Sequence, residues 1–174
     1  MCGGANKHEI AAASLFTTQS IRAISRKIRK QLRGGEATFT PATPSGIVEL
    51  LLREGVELEG AEVCVVGHGG LVGAPLSIML AQDSIRGNAT VTSTHVKTRD
   101  LGQYTLLADI LVVAAGVPNL IVPQMVRTGA VVIDVGINRK ADGKLGGDVE
   151  FDSVREVAAH ITPVPGGVGP MTIA

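Results

Sequence analysis

The sequence predicts an α/β fold in which helices cover both faces of a doubly wound parallel sheet. Three observations predict it: 45% of the 174 residues are hydrophobic, 22 are glycine, and short apolar runs closed by glycine alternate with helical segments. Strands that are buried on both faces appear as continuous apolar runs. Glycine lets the tight turns after such strands approach a ligand closely. The length suits one domain with a substantial core.

The first half of the predicted domain alternates helix, strand and helix. A helix begins at the turn 43–46 and stops at Gly55. Residues 63–66 form an apolar run that ends in Gly67, which predicts a buried strand. A helix over 73–82 follows, with a proline in its first turn, where proline is tolerated.

The second half adds three strands and a helix. Residues 90–92 predict the second strand, residues 110–115 a third that is closed by glycine, and residues 131–133 a fourth. A helix over 152–159 then leads into a rigid loop rich in proline and glycine, 162–167. Strands separated by short helices imply right-handed crossovers, and therefore a doubly wound sheet.

The composition excludes several classes of protein. The hydrophobic fraction excludes a disordered chain, and no apolar run reaches the 18 residues that a membrane span requires. Aromatic residues make up only 2% of the chain, which argues against a stacking surface for nucleic acid. Cys2 and Cys64 give neither a disulfide framework nor zinc spacing, which indicates a reducing compartment. We expect no membrane, nucleic-acid or metal partner, and a cytoplasmic location with a mitochondrial one as the alternative.

Residues 1–35 form a basic tail whose role the sequence leaves open. They hold seven Lys or Arg residues against Glu9 alone, about +6, so the neutral chain divides into this tail and an acidic domain at 36–174. Apolar residues recur in the tail at helical spacing, which predicts an amphipathic helix: Ile21, Ile24, Ile28 and Leu32. Three interpretations remain open, namely a mitochondrial transit segment, a nucleic-acid or membrane-surface arm, and a solvated helix.

The turn after the first predicted strand carries the main chemical signal. Residues 67–73 read GHGGLVG, and the candidate cofactor-binding residues there are Gly67, His68, Gly69, Gly70 and Gly73. Glycine backbones can bring main-chain N–H groups close to a pyrophosphate at the N-terminus of the next helix. The spacing departs from the dinucleotide fingerprint, since a valine stands where the third glycine belongs. A tight turn that binds no nucleotide is the alternative.

The residues after the second predicted strand bear on the choice between NAD and NADP. An NAD site usually places a carboxylate there, on the ribose 2′-hydroxyl. Residues 93–99 read STHVKTR, with no carboxylate before Asp100. This pattern favours a 2′-phosphate, unless Lys97 and Arg99 simply face solvent.

The sequence assigns no catalytic or metal-binding role to four polar residues, two histidines and two aspartates. His68 and His95 are predicted to lie at the turn or at the cofactor rim, since no second ligand stands at zinc spacing. Asp134 and Asp148 flank a loop, and nothing in the sequence places them as an acid/base pair. Asp134 is expected to order the turn at the end of its strand through side-chain hydrogen bonds.

Four sequence blocks together point to a known family. They are PATPSG at 41–46, GHGGLVGAP at 67–75, VIDVGIN at 132–138 and TPVPGGVGPMT at 162–172. In this order they resemble the bifunctional methylenetetrahydrofolate dehydrogenase/methenyltetrahydrofolate cyclohydrolase family, and the resemblance covers residues 35–174. It implies a Rossmann-like fold with NADP as the usual cofactor. It also implies that a hydride passes from 5,10-methylenetetrahydrofolate to the nicotinamide, after which water opens the methenyl product to 10-formyltetrahydrofolate.

The resemblance implies two sets of site residues by position. The residues expected to line the dinucleotide are Gly67, His68, Gly69, Val96 and Ile137. Ile137 is expected to lie near the nicotinamide through its backbone. The residues expected to face the folate side of the cleft are Gly166, Gly167 and Pro170.

The chain departs from the family pattern in two motifs near the expected cofactor. The family's phosphate turn usually reads Gly-Arg-Ser, whereas His68 and Gly69 follow Gly67 here. The family's His-Ser pair appears as His95 and Val96. Because the missing arginine would pair with a 2′-phosphate, use of NAD instead of NADP stays open.

The resemblance also implies chemistry that these residues do not carry. In the family a separate N-terminal domain supplies a Tyr and a Lys for catalysis and an Asp for the pterin, and residues 1–35 contain none of its motifs. The single tyrosine, Tyr104, is predicted to pack or to face solvent. A general acid/base must lie within hydrogen-bond reach of the reacting atoms. We therefore expect a domain that lacks the family's N-terminal catalytic domain and holds no catalytic residue of its own.

The expected function is the cofactor-binding part of such an enzyme, with little or no turnover by this chain alone. The folate substrate is expected at an interdomain cleft once the missing domain is supplied, and a homodimer stays open. The alternative is a non-enzymatic dinucleotide-binding module whose basic arm docks a partner. Another short dehydrogenase of one-carbon metabolism with a related fold is a further alternative.

Overall fold

A five-stranded parallel sheet forms the centre of the computed structural model, which describes residues 26–27, 30–31, 40–139 and 143–173. The described strands are β1 Glu62–Val66, β2 Thr90–Thr94, β3 Ile110–Val113, β4 Val131–Asp134, β5 Asn138–Arg139, β6 Leu145–Gly146 and β7 His160–Ile161. The described helices are α1 Ala42–Arg53, α2 Gly73–Ala81, α3 Leu101–Thr105, α4 Phe151–Val154 and α5 Val168–Met171, with a 3-10 helix at Pro123–Met125.

The order of the strands confirms the predicted doubly wound α/β fold. The sheet runs β2-β1-β3-β4-β7 with every neighbouring pair parallel, and β5 pairs with β6 in a separate antiparallel hairpin. From β1 the chain passes to β2, which lies on one side of β1, and then crosses back to β3, which lies on the other side of β1. In open α/β sheets, ligands bind outside the carboxyl ends of the strands at such a reversal of order. The reversal therefore locates the candidate site between the ends of β1 and β3.

Two apolar layers cover the sheet, one on each face. Successive residues of a strand point to opposite faces, so Val63 and Val65 pack under α1 and α2, whereas Cys64 and Val66 pack on the other side. All of β3 is buried, from Ile110 to Val113. This burial explains why β1 and β3 are continuous apolar runs in the sequence.

The predicted helix over 152–159 is wrong beyond its first turn. Helix α4 ends at Val154, and the chain then turns into β7, the edge strand of the sheet. Backbone pairing with β4 takes over here, since the Ala159 N–H donates to the Ala130 carbonyl at 2.9 Å and the Thr162 N–H donates to the Val132 carbonyl at 3.1 Å. A helix over the same residues would leave these sheet hydrogen bonds unmade.

The remaining boundaries differ from the prediction by a few residues. Strand β3 stops at Val113, two residues before the predicted end, because the N–H groups of Ala115 and Gly116 are bound by a side chain from elsewhere in the fold. Helix α1 ends at Arg53, and Gly55 then takes a left-handed conformation with φ of 71°, as expected for a helix stop. The other predicted strands are confirmed within β1, β2 and β4.

Most of the basic tail lies outside the described residues. Within residues 1–35 only 26–27 and 30–31 are described, and they are helical. The predicted apolar face of the tail therefore lies outside the described part of the chain, as does Cys2. No helix among the described residues has the length and apolar character needed to cross a membrane.

The buried layer around β3 makes a direct test of the fold. Leu111 is fully buried, so Leu111→Ala should lower the free energy of unfolding by about 2–5 kcal/mol through lost burial and a residual cavity. The matched control is Leu107→Ala, since Leu107 is 69% exposed and should change the free energy little. Equilibrium urea unfolding measures both, and equal losses in the two variants would contradict the placement of Leu111 in the core.

Candidate functional site

The carboxyl ends of the five parallel strands meet at one edge of the sheet. The loops that follow them are 67–72 after β1, 95–100 after β2, 114–120 after β3, 135–137 after β4 and 162–167 after β7. The sequence-predicted site residues lie on four of these loops and on the first turns of α2 and α5. The parallel topology thus brings them to the same edge from positions up to a hundred residues apart.

The glycine turn packs closely on the end of β3. Gly67 takes φ of 111°, and a Cβ on it would overlap the carbonyl oxygen of Ala114. Gly73 begins α2, and a Cβ there would overlap the carbonyl oxygen of Gly67. These two glycines therefore let helix, turn and neighbouring strand approach one another. The third fingerprint glycine normally allows close packing of helix and strand. Here Val72 stands at its position and packs partly against the core, and Gly73, the next residue, allows the close packing.

The other two glycines of this turn face outward. Gly69 and Gly70 are exposed, and a Cβ on Gly69 would contact nothing within 4 Å. The turn leads into α2, a nine-residue helix whose N-terminus carries partial positive charge. This arrangement of an open turn before a helix N-terminus suits an anionic group of a ligand.

Two histidines from neighbouring loops contact each other beside the turn. The rings of His68 and His95 lie edge to face, with centroids 4.8 Å apart and planes at 81°. The Gly67 N–H donates to the Thr94 carbonyl at 2.8 Å, which holds the turn against the end of β2. The His95 Nδ1 accepts a hydrogen bond from the Lys97 N–H at 3.1 Å, so the neutral ring carries its proton on Nε2.

The rest of the loop after β2 is open to solvent. The His95 N–H donates to Thr98 Oγ1 at 2.9 Å, which folds the loop back on itself. Val96 is half exposed, and Lys97 and Arg99 are exposed. The loop therefore presents two cationic side chains to solvent and no carboxylate before Asp100.

A cavity of about 790 Å³ joins the loop after β4 to the glycine- and proline-rich segment near the end of the chain. Ile137 lines it and is 68% exposed, although it is a large apolar side chain. Gly166, Gly167 and Pro170 also line it, as does Val72 from the glycine turn. Its volume lies in the range of small-molecule sites. The structure thus brings Ile137 to one cavity with the three residues predicted to face the folate, whereas the other predicted cofactor residues, Gly67, His68, Gly69, Gly70, Gly73 and Val96, do not line it.

The same three residues also border a second, smaller cavity. Gly166, Gly167 and Pro170 separate the larger cavity from a groove of about 400 Å³ between α1 and the edge strand β7. Leu50, Val56, Ile161 and Met171 contribute its apolar surface, and Glu54 lies at its border. No fingerprint residue reaches this groove.

Asp134 orders the end of β4 as predicted, and it does so from a buried position. Its Oδ1 accepts hydrogen bonds from the N–H groups of Gly136 and Asp148, and its Oδ2 accepts one from Val149, each at 3.0 Å. Burial raises the pKa of the Asp134 carboxyl above its ordinary value, and the nearby Asp148 carboxyl acts in the same direction, against the lowering effect of the three donors. The sequence prediction of side-chain hydrogen bonds at this turn is confirmed.

Asp148 is a site-organising residue that the sequence analysis missed. It is fully buried, and its Oδ2 accepts hydrogen bonds from the N–H groups of Ala115 and Gly116 at 2.7 Å each. Its Oδ1 accepts a third from Asn138 Nδ2, also at 2.7 Å. The available signal was a mirrored pattern, Asp-Val-Gly at 134–136 and Gly-Asp at 147–148.

The glycines of this mirrored pattern make room for the carboxylates. A Cβ on Gly136 would overlap the Asp148 carboxylate, and a Cβ on Gly147 would overlap the Asp134 carboxylate. Each glycine therefore leaves space for the aspartate of the other segment. The backbone and side-chain donors around each carboxyl group offset the cost of burying the two groups together.

Several candidate residues lie away from the cavity. Tyr104 is 40% exposed on α3, in agreement with the prediction that it packs or faces solvent. Cys64 is buried in β1, and burial raises the pKa of its thiol. Among the described residues, no three His, Cys, Asp or Glu side chains are grouped so that they could hold a metal ion.

Comparison with known proteins places this arrangement in a family. The family model described as the tetrahydrofolate dehydrogenase/cyclohydrolase NAD(P)-binding domain matches residues 41–174. The bifunctional protein FolD of Desulfotalea psychrophila is 55% identical over 152 residues, covering 84% of this chain and 51% of that protein. FolD of Syntrophus aciditrophicus is 58% identical over 144 residues, covering 80% of this chain and 49% of that protein.

Solved structures agree with this assignment. The bifunctional FolD enzyme of Campylobacter jejuni superposes with a TM-score of 0.78 at 46% identity, covering 83% of this chain and 50% of that one. The FolD enzyme of Trypanosoma brucei, complexed with NADP cofactor and inhibitor, gives a TM-score of 0.77 at 39% identity, covering 95% of this chain and 58% of that one. The chain spans about half the length of the curated relatives it matches. The resemblance inferred from the four sequence blocks is confirmed, and the chain belongs to the tetrahydrofolate dehydrogenase/cyclohydrolase family, with the family's NAD(P)-binding domain at residues 41–174.

Proposed function

We propose that this chain binds NADP along the carboxyl edge of its sheet, as the cofactor-binding part of a methylenetetrahydrofolate dehydrogenase/methenyltetrahydrofolate cyclohydrolase. The observation that carries the proposal is the glycine turn at the reversal of strand order, where Gly67 and Gly73 pack β1, β3 and α2 together. The bifunctional relatives and the NADP complex of one of them support it.

The residues at this edge fit the parts of a dinucleotide. The open turn at Gly69 and the N-terminus of α2 suit the pyrophosphate. The His68–His95 contact lies beside the end of β2, where a ribose 2′ substituent is recognised in such folds. Ile137 lines the large cavity on the far side of the turn, which suits the nicotinamide.

The large cavity suits the meeting of nicotinamide and folate. Bound NADP supplies the hydride acceptor, and the chain's own residues orient the rings and exclude water from between them. Val72, Val135 and Ile137 form one apolar wall, and Gly166, Gly167 and Pro170 form the other, where the folate is expected. Small-molecule sites are mostly apolar clefts in which a few polar groups fix the orientation of the ligand.

Proton transfer needs a group that this cavity does not offer. Of the described residues that line it, only Asp134 is titratable, and both of its oxygens already accept backbone hydrogen bonds in the interior. A general acid/base must reach the reacting atoms. We therefore infer that the acid/base groups of the two reactions come from another domain and that this chain alone has little or no turnover.

Other expectations about this chain stay predictions. A non-enzymatic binding module is not favoured, because the relatives are bifunctional enzymes. A cytoplasmic location, a folate substrate at an interdomain cleft and a homodimer remain proposals for the molecule as a whole.

The purified 174-residue chain should bind NADP saturably and should not reduce it in the presence of 5,10-methylenetetrahydrofolate. Isothermal titration measures the binding, and the absorbance of the reduced nicotinamide measures turnover. Absence of saturable binding would contradict the proposed cofactor site. Turnover above a buffer blank would contradict the inference that the acid/base groups lie elsewhere.

The substitution His68→Arg should tighten NADP relative to NAD. A guanidinium at this exposed position can pair with a 2′-phosphate, and a charge-assisted contact of roughly 1.5–3 kcal/mol corresponds to about tenfold or more in affinity. Titration of both dinucleotides against both proteins gives the ratio. His160→Arg is the matched control, because it adds the same charge at an exposed histidine on the amino half of the sheet. An unchanged ratio in His68→Arg would place the 2′-phosphate elsewhere.

A further inference from the structure

Asp148 joins the loop after β3 to the loop after β4. Its Oδ2 accepts hydrogen bonds from the N–H groups of Ala115 and Gly116, which both lie in the loop after β3. Its Oδ1 accepts one from the side chain of Asn138. Its own N–H donates to Asp134, the last residue of β4. A single buried carboxyl group therefore fixes the distance between two loops at the carboxyl edge of the sheet, where the cofactor is proposed to bind.

The same network holds both chain neighbours of Ile137. The N–H of Gly136 is bound by Asp134 Oδ1 at 3.0 Å, and the Asn138 amide is bound by Asp148 Oδ1 at 2.7 Å. Ile137 lies between these two anchors and is 68% exposed to the large cavity. A folding role accounts for the hydrogen-bonded carboxylates but not for the large apolar side chain left exposed between the two anchors. A ligand-binding surface does, because a side chain fixed in advance loses less entropy when the ligand binds.

We propose that Asp148 is a positioning residue for the nicotinamide half of the cofactor, which it serves by holding Ile137 and the loop after β3 in register. The proposal rests on the proposed NADP site and adds to it a residue that does not touch the ligand. Asp148 is fully buried, so its effect must pass through Asn138, Ala115 and Gly116.

The chemistry of the contacts makes the carboxylate hard to replace. Asp148 accepts three short hydrogen bonds from neutral N–H groups, and charged acceptors make the stronger kind. An amide in its place has one acceptor oxygen and one NH₂ donor. If the oxygen keeps the two backbone N–H groups, the NH₂ faces Asn138, whose side-chain amide must turn over and accept where it now donates, and all three contacts lose the charge of the acceptor.

The substitution Asp148→Asn tests the proposal with two ligands. NADP should bind roughly tenfold more weakly, because the segment around Ile137 is released. The half-cofactor 2′,5′-ADP lacks the nicotinamide and uses the glycine turn and the His68 region, so its affinity should change by less than about twofold. Isothermal titration of both ligands at a temperature where the variant is folded gives the two affinities.

An exchange of the two side chains restores the contact. In the double variant Asn138→Asp, Asp148→Asn, the carboxylate lies at position 138 and the NH₂ donor at position 148, so donor and acceptor again face each other. The oxygen of the new amide remains free for the backbone N–H groups of Ala115 and Gly116. NADP affinity should return to within about threefold of the wild-type value.

Leu58→Ala serves as the stability control. Leu58 is buried between α1 and β1, on the amino side of the sheet and away from the crevice. Its truncation should lower the unfolding midpoint and leave both affinities unchanged. If Asp148→Asn does not fold, Asn138→Ala replaces it, since that variant removes only the amide that anchors the residue after Ile137.

The outcomes separate this proposal from the proposed function. Wild-type protein that binds neither NADP nor 2′,5′-ADP would overturn the proposed function itself. With wild-type binding established, a selective loss of NADP affinity that the exchange restores supports the positioning role. An unchanged NADP affinity in Asp148→Asn, an equal loss for both ligands, or a loss that the exchange leaves in place would each overturn it.

Discussion

The close approach of the β1 turn to the end of β3 sets the geometry of the whole ligand edge. Gly67 places its backbone against the Ala114 carbonyl, and Gly73 places the first turn of α2 against Gly67. Side chains at either position would push helix, turn and strand apart. With the three elements in contact, the N-terminus of α2 faces the crevice between β1 and β3, where an anion gains from its partial charge.

Beyond β3 the same edge depends on buried carboxylates instead of close backbone contact. Each of Asp134 and Asp148 occupies the space left by a glycine of the other segment. Asp148 accepts from backbone N–H groups of the loop after β3, and Asp134 accepts from those of Gly136 and of residues 148–149. Burying two neighbouring carboxylates is costly unless each is fully hydrogen-bonded. A partly formed network would therefore be worse than none, which favours one well-defined conformation of the loops on either side.

The sequence predicts the parts of this fold that rest on local pattern. The apolar runs that become β1 and β4, and the glycine turn after β1, were placed correctly because buried strands and ligand turns leave signals within a few residues. Strand β7 has only His160 and Ile161, so its pairing with β4 left no such signal, and the sequence predicted no strand there. Asp148 was missed for a related reason, since its partners Ala115 and Gly116 lie more than thirty residues away in the chain.

Different residues hold the two parts of the carboxyl edge: glycines on the β1 side and buried carboxylates on the β3 and β4 side. This separation bears on the positions at which the chain departs from its family. The departures fall at His68, Gly69 and Val96, in the loops after β1 and β2, on the side proposed for the adenosine half of the cofactor. Asp134 and Asp148 lie on the β3 and β4 side, and their hydrogen bonds go to residues of that side. In the proposed site, a change in recognition of the ribose 2′ substituent therefore leaves the nicotinamide half undisturbed. The same separation explains how a domain with an altered phosphate turn keeps its cavity around Ile137 intact.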